Sequence, residues 1–211
     1  MRKKLFISVG IVAALCIGGY IYADNTLENE IIISADHMIY DNYDMISDDS
    51  ELILEVKATS NKENVIKDFG DYYTGHTVTE VNINQVFKSN GVDLKPGDSI
   101  KILEPTYTHD QPGISLGTII YNYEDYTPLQ EGLDYAVFLK WDEQDQGYWI
   151  RSLEQGKFNI PAADTTKVSS KASLSADVTE QQGIDVAEIK ATEDNVQYQS
   201  LKEDVLNNLY K

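Results

Sequence analysis

The chain has 211 residues, 42% of them apolar and 25% charged, and its 35 acids against 17 Lys+Arg give a net charge of −18. That composition is globular rather than disordered, and the length suits one ordinary domain with appendages. The acidic balance excludes a protein that tracks a phosphate backbone, which needs a basic face, and it disfavours adhesion to anionic lipid.

The first 23 residues stand apart. Arg2, Lys3 and Lys4 form a basic head, and residues 5–22, LFISVGIVAALCIGGYIY, carry no charge. A spanning helix needs about 20 apolar residues, whereas the apolar core of a signal peptide has about 7–15. Residues 1–23 are therefore expected to be a signal peptide or a membrane anchor: an uncleaved transmembrane helix, or one cut after Ala23. In the anchor reading Tyr20 and Tyr22 sit at the outer interface, where amphipathic rings are favoured. A lipoprotein is the third reading of Cys16, although Leu15 stands where such a signal wants a small residue. The basic head stays inside, so the rest of the chain is expected to be extracytoplasmic. Three of the 17 Lys+Arg lie in that head, so the remainder carries 14 bases against all 35 acids, a net −21. Cys16 is the only cysteine. The exported part therefore has neither a disulfide nor thiol chemistry.

Residues 24–30, DNTLENE, read as a polar spacer, and residues 31–160 as a β domain. YDNYDMI at 40–46 reads as a short helix, with Asp/Ser-rich flanks suited to its ends. ELILEVKAT at 51–59 alternates. Leu52, Leu54, Val56 and Ala58 face one way, and Ile53 is the exception to the pattern. TVTEVNINQVF at 77–87 puts Val81, Ile83 and Phe87 on one face, with a shift of phase near Val78 that suggests a bulge. In LKPGDSIKIL at 94–103, Pro96 presets a turn and Gly97 supplies the positive φ of its type II form. Strand signals then recur in LGTIIYNY at 116–123, DYAVFLKW at 134–141, GYWIRS at 147–152 and GKFNI at 156–160, with DEQDQG as a hairpin loop. Seven or so short strands separated by turns predict a mainly β fold, a sandwich or a small antiparallel barrel.

Residues 161–193 are polar and small, and read as a long loop or insertion with one further strand at 184–189. Residues 194–211 carry the best helical pattern in the chain. Tyr198, Leu201, Val205 and Leu209 share one face, with Asp194 or Asn195 as cap, and the stripe is expected to pack on the β domain.

The order IYDNYDMISDDSELILEVKAT, TVTEVNINQVFKSNGVDLKPGDSIKILEP, LQEGLDYAVFLKW and GYWIRSLEQGKFNI resembles a set of exported Gram-positive proteins with a small OB-like β-barrel. The likeness covers residues 40–160. Its motifs are turns and core strands, so it implies a fold and carries no catalytic residue. Two departures from the pattern are the insertion in VFKSNG, between Lys88 and Gly91, and QPGISLG where a double glycine is common.

Three constellations could carry chemistry. GISLG at 113–117 matches the Gly-x-Ser-x-Gly nucleophile elbow, but a loop precedes Ser115 and a strand comes after it. An elbow needs a strand before and a helix after. The histidines His37, His76 and His109 all precede the serine, so the triad order of that fold is not met either. HMIYDNYDMISDDSE at 37–51 gathers Asp41, Asp44, Asp48 and Asp49 as candidate Ca²⁺ ligands, without the spacing or glycine of an EF-hand loop. Fourteen tyrosines are many for this length. Tyr72, Tyr73, Tyr107, Tyr121, Tyr123 and Tyr126 fall in or beside loops, where tyrosines give contact area at small entropic cost, and the last four are the candidate ligand-binding residues. The expectation is a non-catalytic binding or structural module at the cell surface, with a surface protein, peptide or glycan as partner and no nucleic acid. It needs no cofactor, Ca²⁺ being the one candidate. The alternative is a hydrolase using Ser115 or a carboxylate pair.

Overall fold

A computed structural model describes residues 28–109, 117–124, 126–160 and 196–211. Among these residues nine strands and two α-helices run in the order β1 (Glu28–Ile33), α1 (Tyr43–Asp49), β2 (Leu52–Asp68), β3 (Tyr73–Lys88), β4 (Ser99–Glu104), β5 (Thr106–Thr108), β6 (Thr118–Tyr123), β7 (Asp134–Asp142), β8 (Gly147–Ile150), β9 (Lys157–Asn159) and α2 (Val196–Leu209), with a 3₁₀ turn at Leu153–Gly156. The chain is mainly β, with a C-terminal helix. Residues 1–27, the segment 184–189 and Ser115 lie outside the described residues. Among the described residues no helix is long and apolar enough to cross a membrane.

Five strands pair in a ring. β2 pairs antiparallel with β3, and β3 with β4. β4 runs parallel to β8 at Ile102↔Tyr148 and Leu103↔Trp149, β8 pairs antiparallel with β7, and β7 returns to β2 from Leu52↔Leu139 to Lys57↔Asp134. β9 adds to β7. A second sheet of three strands, in the order β1-β6-β5, has β1 parallel to β6. The register of β1 runs from Glu28↔Thr118 to Ile33↔Tyr123, so the strand takes in the end of the expected spacer. Its partner is distant in sequence, and no local alternation announces it. Likewise Thr106–Thr108, expected as loop, pairs antiparallel with β6. Pro105 separates β4 from β5 because it has no N–H to give a ladder.

The alternation of β2 serves two cores. Leu52, Leu54, Val56 and Ala58 lie in the first, with Val81, Ile83, Ile102, Val137 and Leu139. Ile53 lies in the second, with Phe138, Phe158, Tyr198, Leu201 and Val205. It stands opposite Phe138 in the β2–β7 ladder, which explains both the exception at Ile53 and the unbroken apolar run AVFL at 136–139. A strand buried on both faces reads as continuous rather than alternating apolar residues. Helix α2 covers that outer face. Asn42 caps α1 by accepting a hydrogen bond from the Met45 amide at 3.0 Å, so the helix starts three residues later than expected.

Phe87 departs from its expected face. Glu55 pairs with Gln85 and Val56 with Ile83, so Asn84 is an extra residue in β3. A bulge reverses the in–out phase beyond it. Val86 therefore packs on the first core, and Phe87 on the second, edge-on to Tyr210 at 5.5 Å. There is no phase shift at Val78. Thr77 and Thr79 are buried there instead, and the irregularity lies across the ladder, where Ala58↔Val81 gives way to Lys62↔Thr79. The turn at Gly97 has φ +92°, as its position after Pro96 requires.

Past that irregularity, β2 and β3 continue as an arm that lies on the small sheet, flanked by β4 as far as Thr77 and two-stranded beyond it. Thr77 donates to the Thr106 carbonyl at 2.8 Å, and Asn64 bridges to Thr108 at 2.7 and 3.0 Å. Truncation of a buried aliphatic side chain to Ala costs about 2–5 kcal/mol. Leu201→Ala is expected to lose that much in urea unfolding. Val196→Ala, 87% exposed on the same helix, is expected to change stability by less than about 0.5 kcal/mol.

Candidate binding cleft

The arm and the β7–β8 hairpin face one another across an open cleft of about 520 Å³. Val65, Lys67, His76 and Val78 line it from the arm, Ile100, Lys101 and Leu103 from β4, and Trp141, Gln144, Asp145, Gln146, Gly147 and Tyr148 from the hairpin. Local chemistry shapes the hairpin. The Asp142 carboxylate accepts hydrogen bonds from the Gln144 and Asp145 amides at 2.8 Å each, and Gln146 takes the left-handed φ of +51° that closes the turn. The Trp141 and Tyr148 rings meet edge-to-face at 5.0 Å, directly opposite in the ladder.

A polar relay crosses the cleft. Lys67 on the arm is ion-paired and hydrogen-bonded to Asp145 on the hairpin. Trp149 Nε1 donates to the other Asp145 oxygen at 3.0 Å, and the Trp149 ring meets His76 edge-on at 5.2 Å. Burial works to raise the Asp145 carboxyl, and the bonds from Lys67 and Trp149 more than offset it, so its pKa is lowered. Burial holds the His76 imidazole below its ordinary range, helped by Lys67 and opposed by Asp145. Lys67, Lys101, Trp141, Asp145 and Tyr148 carry no signal in the sequence that marks them as a site, and His76 stands out there only as one of three histidines. They are spread over three hairpins that only the fold brings together.

Of the candidate ligand-binding tyrosines, Tyr107, Tyr121 and Tyr123 lie together and Tyr126 is buried in the first core, so they do not make one open face. Tyr107 stacks on Tyr121 at 4.8 Å with an interplanar angle of 4°. Tyr107 is 1% exposed, and its ring passes where a Cβ on Gly75 would lie, 2.7 Å away, so only glycine fits under it. Burial, with Tyr123 and Tyr121 nearby, pushes its hydroxyl up to about 12. Tyr123 is half-buried and hydrogen-bonded to the Gly75 backbone; burial, first of all, raises its pKa. Tyr126 is 1% exposed and donates to Glu104 Oε2 at 2.8 Å. Of the loop tyrosines, Tyr72 and Tyr73 are the exposed ones. Phe69 and Tyr72 stack at 5.0 Å at the tip of the arm, and Tyr73 lies against His109 at 4.6 Å. The histidines do not share a site: His37 contacts the Ala35 carbonyl, His76 Trp149, and His109 Tyr73.

The four aspartates do not converge on a cation. Asp41 accepts from Gln197 at 2.8 Å, and Asp44 and Asp48 are exposed. Asp49 turns into the protein, where Lys140 (2.6 Å), Arg151 Nε (2.9 Å) and the Tyr40 hydroxyl bond to it. Among the described residues no three His, Cys, Asp or Glu side chains are grouped to hold a metal ion. The helix Tyr43–Asp49 points its successive side chains in different directions, which leaves Asp44 and Asp48 in solvent and turns Asp49 inward.

Burial tends to raise the Asp49 carboxyl, but Lys140, Tyr40 and Arg151 outweigh it and hold the pKa at about 2 rather than 3.8. A depressed carboxyl stabilises the fold above its unfolded pKa, and that contribution is lost as pH falls through the folded value. Between pH 4 and 2, wild-type stability should drop more steeply than that of Asp49→Asn. At pH 7 Asp49→Asn should be the less stable of the two, while Asp44→Asn and Asp48→Asn match wild type. Thermal melts across that pH range measure all three effects.

Comparison of the chain with protein-family models, with curated proteins and with solved structures finds no match.

Proposed function

We propose that this chain is an exported binding module, a small OB-like β-barrel that takes its ligand in the cleft between the β2–β3 arm and the β7–β8 hairpin. The barrel reading is supported by the ring of pairings β2-β3-β4-β8-β7, antiparallel throughout except between β4 and β8. That is the connectivity of a five-stranded OB barrel, in which the face of the second and third strands and the loop between the fourth and fifth form the usual binding surface. The correspondence is one of fold, and the site carries the functional argument. The observation that carries it is the cleft itself, which is partly apolar and crossed by a few directed polar groups, as ligand sites are. The resemblance to exported Gram-positive proteins, the basic head and the uncharged run at 5–22 support a place outside the membrane, tethered by that run or released after Ala23.

The reading is non-catalytic. Asp145, the one carboxylate among the cleft's lining residues, is committed to Lys67 and Trp149, and His76 faces a tryptophan ring rather than a nucleophile. The ligand classes open to such a surface are a glycan, a peptide or another surface protein.

The chain has two tryptophans, Trp141 in the cleft wall and Trp149 beside it, so its intrinsic fluorescence reports on this one region. Titration of residues 24–211 with surface glycan fragments and peptides from the host is expected to shift that emission for one class. Trp141→Ala and Tyr148→Ala should each raise Kd by at least about tenfold, equivalent to ~1.4 kcal/mol. Full affinity in both variants contradicts the assignment of the cleft.

A further inference from the structure

We infer that the ligand of this cleft is a glycan bearing carboxylates, with a sugar ring against Trp141 and Tyr148 and an acid group on Lys101. The inference rests on the cleft being the binding site and adds the chemical class of what it binds. It starts from a contrast in charge. The chain carries −18, yet the cleft is lined by two lysines and a single aspartate. Lys67 is matched by Asp145. Lys101 is exposed and makes no hydrogen bond or ion pair with any described residue. Its cross-strand neighbour, Glu80, instead accepts from the Asn61 side-chain amide at 3.1 Å. On the facing hairpin Asp142 is bonded into its own turn, and Gln146 donates to Glu143. The cleft therefore presents one uncommitted cation beside two partly exposed aromatic rings. At about 0.15 M salt the Debye length is about 8 Å, so the distant acidic surface is screened while a contact pair at Lys101 is not.

The other features choose among anionic ligands. An extended peptide gains its affinity by adding to a free strand edge. At Val78, β3 offers no such edge, since that residue stands opposite Glu63 of β2 on one side and Leu103 of β4 on the other. Single-stranded nucleic acid presents a phosphate at every nucleotide and needs a cationic groove to track it. One free lysine in an acidic protein does not make such a groove. A carboxylated sugar asks for less: ring contact, one cation and groups that both donate and accept. Gln144 and Gln146, exposed on the hairpin, have amides of that kind.

The test uses tryptophan emission of residues 24–211 at 0.15 M salt with three probes: tetragalacturonate, its fully methyl-esterified form and an eight-residue oligo-dT. The acid should bind at least about tenfold more tightly than the ester, and oligo-dT should not bind. Lys101→Gln, at an exposed position with an unchanged melting temperature, should remove the preference for the acid while leaving the ester's affinity in place. Equal binding of acid and ester overturns the inference but leaves the cleft as the site. Tighter binding of oligo-dT overturns it in favour of nucleic acid. An absence of response to either sugar, with the host-fragment titration also unaffected by Trp141→Ala, overturns both the inference and the cleft.

Discussion

One buried carboxylate joins the parts of this fold. Glu104 ends β4 and is 0% exposed. It accepts from the Thr79 hydroxyl on β3, from the Tyr126 hydroxyl at 2.8 Å and from the Leu129 amide at 2.7 Å, and Lys62 on the far part of β2 stands 3.8 Å away. Unpaired, such a charge would cost several kcal/mol. Here it is met by donors from two separate segments and by the Lys62 charge from a third. Each of them has to be in place for the others to be tolerated. The Lys62 ammonium also donates to the Leu129 carbonyl at 2.5 Å, so the same knot ties the start of the arm to the segment that leaves the small sheet.

The location of that knot explains the shape of the site. It sits where the ring of strands ends and the arm begins, next to the irregular register between Ala58 and Lys62. Bulges increase strand twist and redirect the chain beyond them. Thr59 Oγ1 donates to the Glu80 carbonyl at 2.7 Å and takes over the ladder where the strands part. The redirected arm lies along the small sheet, where Gly75 admits the Tyr107 ring, and its other side meets the β7–β8 hairpin through Lys67 and Asp145. The cleft is thus the consequence of a strand pair continuing past the ring of paired strands.

Much of this was legible in the sequence where neighbouring residues decide the outcome. The Pro96–Gly97 turn, the period-two stretch from Leu52 to Ala58, the strands at 134–141 and 147–152 and the helical stripe of Tyr198, Leu201 and Val205 all rest on local geometry. The rest depends on partners far along the chain. Thr77 and Thr79 look like solvent-side residues until Glu104 is known to be inside. Tyr107 and Tyr126 look like loop tyrosines until Gly75 and Glu104 receive them. Phe87 changes face through one inserted residue, Asn84, which the ladder reveals and the pattern conceals. The cleft residues carry no spacing signal at all, since Lys67 reaches Asp145 only once the arm and the hairpin face one another, with Lys101 on a third strand.

The Glu104 knot holds the arm in position, while the ring of strands stands independently of it. Native-state amide exchange of Glu104→Gln measures this segment by segment. Protection should be lost at the Leu129 amide and along residues 59–79, with the β2–β7 ladder from Leu52 to Lys57 still exchanging only by global unfolding. Equal loss of protection in both regions would contradict it, as would an arm whose protection does not change.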